Sequence, residues 1–557
     1  MAEPSPRPER SSLSHTQSRA IFVGRQREMA ELTSALEEAL SGQGRLVMLV
    51  GEPGIGKTRT TQELASHAEN LGAQVFWGRC YEDEGTPPYW PWVQTMRSYV
   101  QQASREQLTA EIGPGAAAIA EIVPEIRGKL PDLETPPALD PEAARFHLFG
   151  SIATFLKNAA QNQPLMMVLD DLHWADRSSL LLLEFVAREI GTSKISLVGA
   201  YRDIEVSRRH PLSQTLGALV REQLFHRVQL DGLTQQEVGE LVQGSAGIDL
   251  TLEAAEAIHN RTDGNPFFVG EVTRHVTLEN ITEDPGWASI IPEGVRDAIG
   301  RRLNRLSDHC NQMLTTASVV GQEFEFRLLN SLMSDITEDQ LLAAMDEAVE
   351  VQLIEELPNS VGLYQFTHAL IQETLFEELS TTRRVRLHAR IAEGLETLYG
   401  NDADVHAEEL AYHFAEAQTL TGPEKLVRYS LMAGQQALAS YAYDDALTYF
   451  EKGLAARDIA LSGTDAACDE EAADLLFGLA RARSNTVSGQ QLVEAFAILS
   501  RAFDYYAEAG NVAQAVAAAL FPIVTPSYRI PGITGLLARA LTLVPADSHE
   551  AGRILCV

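Results

Sequence analysis

A parallel α/β domain, followed by a helical and winged-helix-like lid and an all-α repeat array, is the fold class this sequence predicts. Three observations carry that expectation. Short apolar runs alternate with helical stretches from about residue 21 to 232. Beyond 233 the strand-like runs thin out. From about 405 helix follows helix, with small and large residues sharing one face.

The first region contains "RLVMLV", "AQVFWGRC", "LMMVLD", "ISLVGAYR" and "HRVQL", with "TRTTQELASHAENL" and "DRSSLLLLEFVAREI" among the stretches between them. Short apolar strands separated by helices imply a parallel sheet covered on both faces. Residues 233–290 read as helical. There "GNPFFVGEV" offers Asn265 as an N-cap and Pro266 as the first helical residue. Residues 291–400 read as a winged-helix-like unit, with a hairpin around "VQLIEELPNSVGLYQFTH". Residues 401–557 read as a degenerate array of tetratricopeptide type. Ala446, Phe450 and Gly453 share one helical face, and Ala495, Leu499 and Ala502 another. The chain stops at "EAGRILCV" in an uncapped helical stretch, so a truncated array is expected.

The 557 residues suggest roughly three or four domains. A net charge of −33 repels nucleic acid and anionic lipid, so no direct nucleic-acid contact is expected. The basic run "RRVRLHAR" carries Leu387 and Ile391 at helical spacing and reads as an amphipathic helix. Residues 1–20 are polar and Pro-rich, without a signal-peptide core, and read as a disordered tail. The apolar runs are too short to span a bilayer. Four scattered cysteines lack metal or redox spacing, and a cytoplasmic location is expected.

The chemistry is carried by "GEPGIGKT". Gly51, Gly56, Lys57 and Thr58 fit the P-loop pattern, after a strand and before a helix. The glycines, Gly54 among them, let backbone N–H groups face phosphate oxygens. Lys57 neutralises the β- and γ-phosphates of ATP, the Thr58 hydroxyl ligates Mg²⁺, and Arg59 follows at the mouth. Asp170 ends the strand "LMMVLD" as the second metal-holding residue. Asp171 beside it either orients a water or caps the next helix. Arg202, after "ISLVGAY", either senses the γ-phosphate or pairs with Asp203 or Glu205 at the surface. Tyr89, Trp90 and Trp92 either pack on the sheet or offer a partner contact. His173 and Asp176 read as loop-fixing and capping residues.

"FVGRQREM", "GEPGIGKTR", "VLDDLHWAD", "GAYRD" and "GNPFF", in that order, resemble the signal-transduction ATPases with numerous domains. The likeness is to the origin-recognition-like AAA module of large LuxR-type bacterial regulators, also found beside some adenylate cyclase domains. It implies a sheet of order 5-1-4-3-2, which makes the Arg202 strand a neighbour of the P-loop strand. It implies that Phe22, Val23 and Gly24 lie near adenine and that Pro266 packs on the base. "FTHALIQET" resembles the winged-helix motif that contacts the β-phosphate of ADP, which makes His368 either a latch or a structural histidine. The second acid here is Asp where many AAA proteins have Glu, and the shorter side chain suits slow turnover. The implied function is an ATP/ADP-controlled switch in transcription, acting through an output domain outside this chain. An inducer or protein partner would bind the helical repeats, and a homo-oligomer would form in the ATP state. The alternatives are an ATP-driven remodelling enzyme and a module regulating a cyclase-type partner.

Overall fold

The computed structural model describes residues 21–82, 85–133, 141–207, 209–221, 225–278, 299–300, 302–357, 360–487, 491–521 and 532–556. The expected tail (1–20) and the boundary at 290/291 lie outside the described residues.

Five parallel strands form the central sheet: β1 (Arg45–Val50), β2 (Gln74–Arg79), β3 (Leu165–Asp170), β4 (Ile195–Tyr201) and β5 (Phe225–Gln229). Their order is β2-β3-β4-β1-β5, as the resemblance implied. Every residue of β3 and β4 is buried, because helices cover both faces. Val47 and Leu49 face a layer formed with Leu32, Leu36 and Leu64. Leu46 and Met48 face the other, with Trp92, Phe155 and Leu183. The edge strand β5 buries only Val228 of its own residues. Tyr89 and Trp92 are fully buried, and Trp92 Nε1–H donates to Ser179 O at 3.1 Å. The packing reading of those two aromatics therefore holds, and they offer no partner contact.

Beyond β5 come helices Gln235–Ala246, Leu252–Thr262 and Pro266–Leu278. Then follow helix Asp308–Val320, strand β6 (Glu323–Glu325), helices Phe326–Leu332 and Glu338–Glu350, strands β7 (Ile354–Glu356) and β8 (Leu363–Phe366), and helix Ala369–Glu377. The antiparallel sheet β6-β8-β7 closes over a separate core of Met313, Leu314, Phe324, Leu341 and Phe366. This is the helix-and-hairpin arrangement of a winged helix.

The helical array runs from Thr381–Tyr399 to His549–Cys556. Phe450 sits fully buried between two glycines. A β-carbon at Gly434 would come within 2.6 Å of its ring, and one at Gly478 within 2.3 Å, so only glycine lets these helices close on it. The array also packs on the α/β domain. Ser178 Oγ–H donates to Asp445 Oδ2 at 2.9 Å, and the Arg145 guanidinium lies 5.6 Å from the Tyr443 ring centre. Among the described residues no helix is long and apolar enough to cross a membrane.

Candidate functional site

The P-loop leaves β1 at Gly51 and turns through Gly54 (φ +77°) and Gly56 (φ +100°) into helix Lys57–Asn70. These left-handed angles favour glycine. Lys57 is buried and folds back on its own loop, donating from Nζ to Gly51 O (2.9 Å) and Glu52 O (3.0 Å). Burial lowers its pKa, and nearby carboxylates, Asp171 first, oppose that shift.

Thr58 and Asp170, 112 positions apart in sequence, meet with Oγ1–H donating to Oδ2 at 2.8 Å. The same carboxylate oxygen lies 3.7 Å from an Arg79 guanidinium nitrogen. A hydroxyl beside a carboxylate is the hard-oxygen donor set that suits Mg²⁺, so the residues present fit the metal.

Asp171 takes a left-handed φ of 56°, which turns the chain out of β3. Burial, and then the charge of Asp170, push its carboxyl up to about 7. It does not cap the next helix. Asp176 does, accepting from Ser179 N–H at 2.7 Å.

Arg202 leaves β4, the strand between β1 and β3. It is only 4% exposed. The ion pair with Glu205 exists (2.8 Å), with the arginine buried and the carboxylate half-buried, and Glu373 of helix Ala369–Glu377 joins it at 2.9 Å. The guanidinium also lies 4.7 Å from the ring centre of Trp174.

His368 caps that same helix, Nδ1 accepting from Leu370 N–H at 3.2 Å. This assigns the proton to Nε2 and leaves that nitrogen a donor. Burial, then the charges of Arg202, Lys57 and Arg79, lower its pKa to about 3. Its ring lies on Phe267, centroids 4.1 Å apart. Pro266 opens its helix at the edge of the P-loop, 4.0 Å from where a Gly56 β-carbon would stand. Asn265 ties the two segments together. It donates from Nδ2 to Pro53 O (2.9 Å) and accepts from Phe267 N–H (3.2 Å). Arg59 covers the Phe22 ring at 5.4 Å, and Gly24 (φ +69°) lies against the Glu237 carboxylate. Val23 between them is half-buried.

Sequence reading missed Arg79, Glu373 and the Asn265 tether to Pro53. The "GNPF" string was the only signal for Asn265. Arg79 and Glu373 stand in no motif.

Residues 21–198 match the family model of the AAA ATPase domain. This segment is similar to an AAA ATPase domain, and it contains Lys57, Thr58 and Asp170 described above. Across a longer span, the chain is similar to an uncharacterized protein, R02095, of Rhizobium meliloti, with 23% identity over 459 residues. That match covers 78% of this chain and 42% of the relative, so the chain spans about two fifths of the curated relative's length. Among solved structures, it is similar to a signal transduction ATPase with numerous domains, with a tetratricopeptide repeat sensor, from Pyrococcus horikoshii. The identity is 15% and the TM-score 0.46, covering 94% of this chain and 74% of that one. A second is the Aeropyrum pernix ORC1 protein in complex with DNA, at 16% identity and TM-score 0.29, covering 66% and 95%.

Proposed function

We propose that this AAA ATPase chain is a nucleotide-controlled switch of the signal-transduction type, in which ADP holds the winged-helix element closed on the P-loop. One observation carries the reading. Arg202, at the end of the strand beside β1, is held by Glu373 of the winged-helix element, 2.9 Å away. A γ-phosphate at that strand end competes with Glu373 for the guanidinium. The triphosphate thereby loosens a contact that the diphosphate leaves alone, and differential binding of this kind shifts a conformational equilibrium.

The other residues take roles around that exchange. Lys57 leaves its loop carbonyls for the β- and γ-phosphates. The P-loop amides, with Arg59 alongside, line the phosphate path. Thr58 and Asp170 hold Mg²⁺, which when bound offsets phosphate charge. Asp171 orients the water. Phe22, Val23, Gly24 and Pro266 border adenine, and His368 donates from Nε2 to the β-phosphate of ADP. The helical array receives an inducer or protein partner, and the opened ATP form self-associates. Output is transcriptional, through a domain outside these residues. The aspartate, one methylene shorter than glutamate, favours slow turnover over mechanical work.

Nucleotide analysis of purified chain tests the reading. Retained ADP and slow hydrolysis are expected, with both binding and hydrolysis lost in Lys57→Ala. Rapid turnover with no retained nucleotide would point instead to a remodelling enzyme.

A further inference from the structure

His173 lies in the short turn Leu172–Trp174 that follows the two acids. Its side chain is fully enclosed, yet neither ring nitrogen has a hydrogen-bond partner among the described residues. Nε2 stands 3.3 Å from Glu205 Oε2 and 3.9 Å from Asp171 Oδ1. The ring rests on Trp174 at 4.3 Å, and Trp174 also carries the Arg202 guanidinium. Burial, and then Arg202 and Lys57, keep the imidazole neutral.

Packing alone does not call for a histidine here. An apolar side chain would fill the volume without two orphaned nitrogens, and buried polar groups without partners are costly. A neutral imidazole donates one N–H, and a shift of about 1 Å would bring Nε2 within hydrogen-bond reach of Asp171.

We propose that His173 is the positioning residue for Asp171, its Nε2–H holding the carboxylate toward the attacking water. This rests on the switch reading and adds one element to its hydrolytic step. The water oxygen bonds to the γ-phosphorus as the bond to the ADP oxygen breaks. ADP leaves with the electron pair, the water proton passes to Asp171, and His173 keeps its own proton throughout.

Two near-isosteres separate this role from packing. The glutamine amide nitrogen overlays imidazole Nε2, whereas the asparagine amide nitrogen overlays Nδ1. Single-turnover hydrolysis by the full chain, alongside fluorescent ATP·Mg affinity, reads both. His173→Gln should stay within about threefold of the parent, and His173→Asn should fall about tenfold or more, with affinity unchanged in each. Equal rates in the two variants, or affinity lost in step with rate, overturn the proposal. Should His173→Asn not fold, a His173→Gln rate below about one tenth of the parent overturns it alone. A parent that binds ATP but never hydrolyses it sinks this inference and leaves the switch standing. A parent that does not bind ATP sinks both.

Discussion

Arg202 and Glu373 meet at 2.9 Å although they come from different units, one at the end of a sheet strand and the other on a winged-helix helix. The pair joins the nucleotide end of the sheet to the lid. Glu205 shares the same guanidinium nitrogen at 2.8 Å, so Arg202 keeps one carboxylate partner when the lid leaves. Glu373→Gln should therefore loosen the lid without stranding the arginine. The Glu373 side chain is 22% exposed, and an ion pair at that depth is worth about 1 kcal/mol. Fluorescent ADP should dissociate about fivefold faster, as stopped-flow would record. An unchanged rate would mean that the pair does not hold the lid.

His368→Ala should act in the same direction through a different contact. The imidazole offers Nε2–H because its Nδ1 is occupied by Leu370 N–H. A hydrogen bond to a charged phosphate contributes about 1.5–3 kcal/mol, so ADP release should rise about ten- to hundredfold. The Leu370 cap is lost as well, so His368→Asn, which can still cap, is the control. If both variants release ADP at the parent rate, His368 serves only as a cap.

Asp170→Asn should weaken Mg²⁺-dependent nucleotide binding, because Asp170 shares its oxygen with Thr58. Asp171→Asn should leave binding intact and slow single-turnover hydrolysis by about a hundredfold. Isothermal titration and phosphate release separate the two. Parent-rate hydrolysis in Asp171→Asn would make the second acid structural.

The sheet was legible because strands buried on both faces show as unbroken apolar runs, as "LMMVLD" does. The P-loop was legible because its chemistry demands fixed residues at fixed spacing. The site's closure was not. Asn265 meets Pro53 across 212 positions, and Tyr81 donates to Glu323 across 242. Local pattern says nothing about such pairs. Arg202 shows the limit well: the sequence offered a sensor or an ion pair, and the half-buried contacts with Glu205 and Glu373 bear on both.

Acid should destabilise the fold through a buried histidine pair. His388 and His413 stand 2.9 Å apart through their Nδ1 atoms, where the helical array begins. Burial lowers their pKa values to about 4 and about 3, with Arg384 adding to the shift of His388 and His388 to that of His413. Unfolded histidine titrates near 6.5, so below that pH the unfolded chain binds more protons. Their contribution is whole above about pH 6.5 and is lost as pH falls toward 4. At pH 5 the loss should be about 1–2 kcal/mol per histidine. Urea unfolding from pH 7.5 to 5 should show this slope, and His388→Leu/His413→Leu should flatten it. Identical slopes would place the acid sensitivity elsewhere.

The central claim is that nucleotide state sets the distance between the sheet and the winged-helix element. Spin labels at Lys194→Cys and Asp346→Cys, both exposed positions, measure it once exposed Cys468 and Cys556 are changed to Ser. With ADP, pulsed electron resonance should give one short distance distribution. With a non-hydrolysable ATP analogue and Mg²⁺, a longer population should grow, and Glu373→Gln should enlarge it. A single distribution, identical with either nucleotide and in the variant, would contradict the switch.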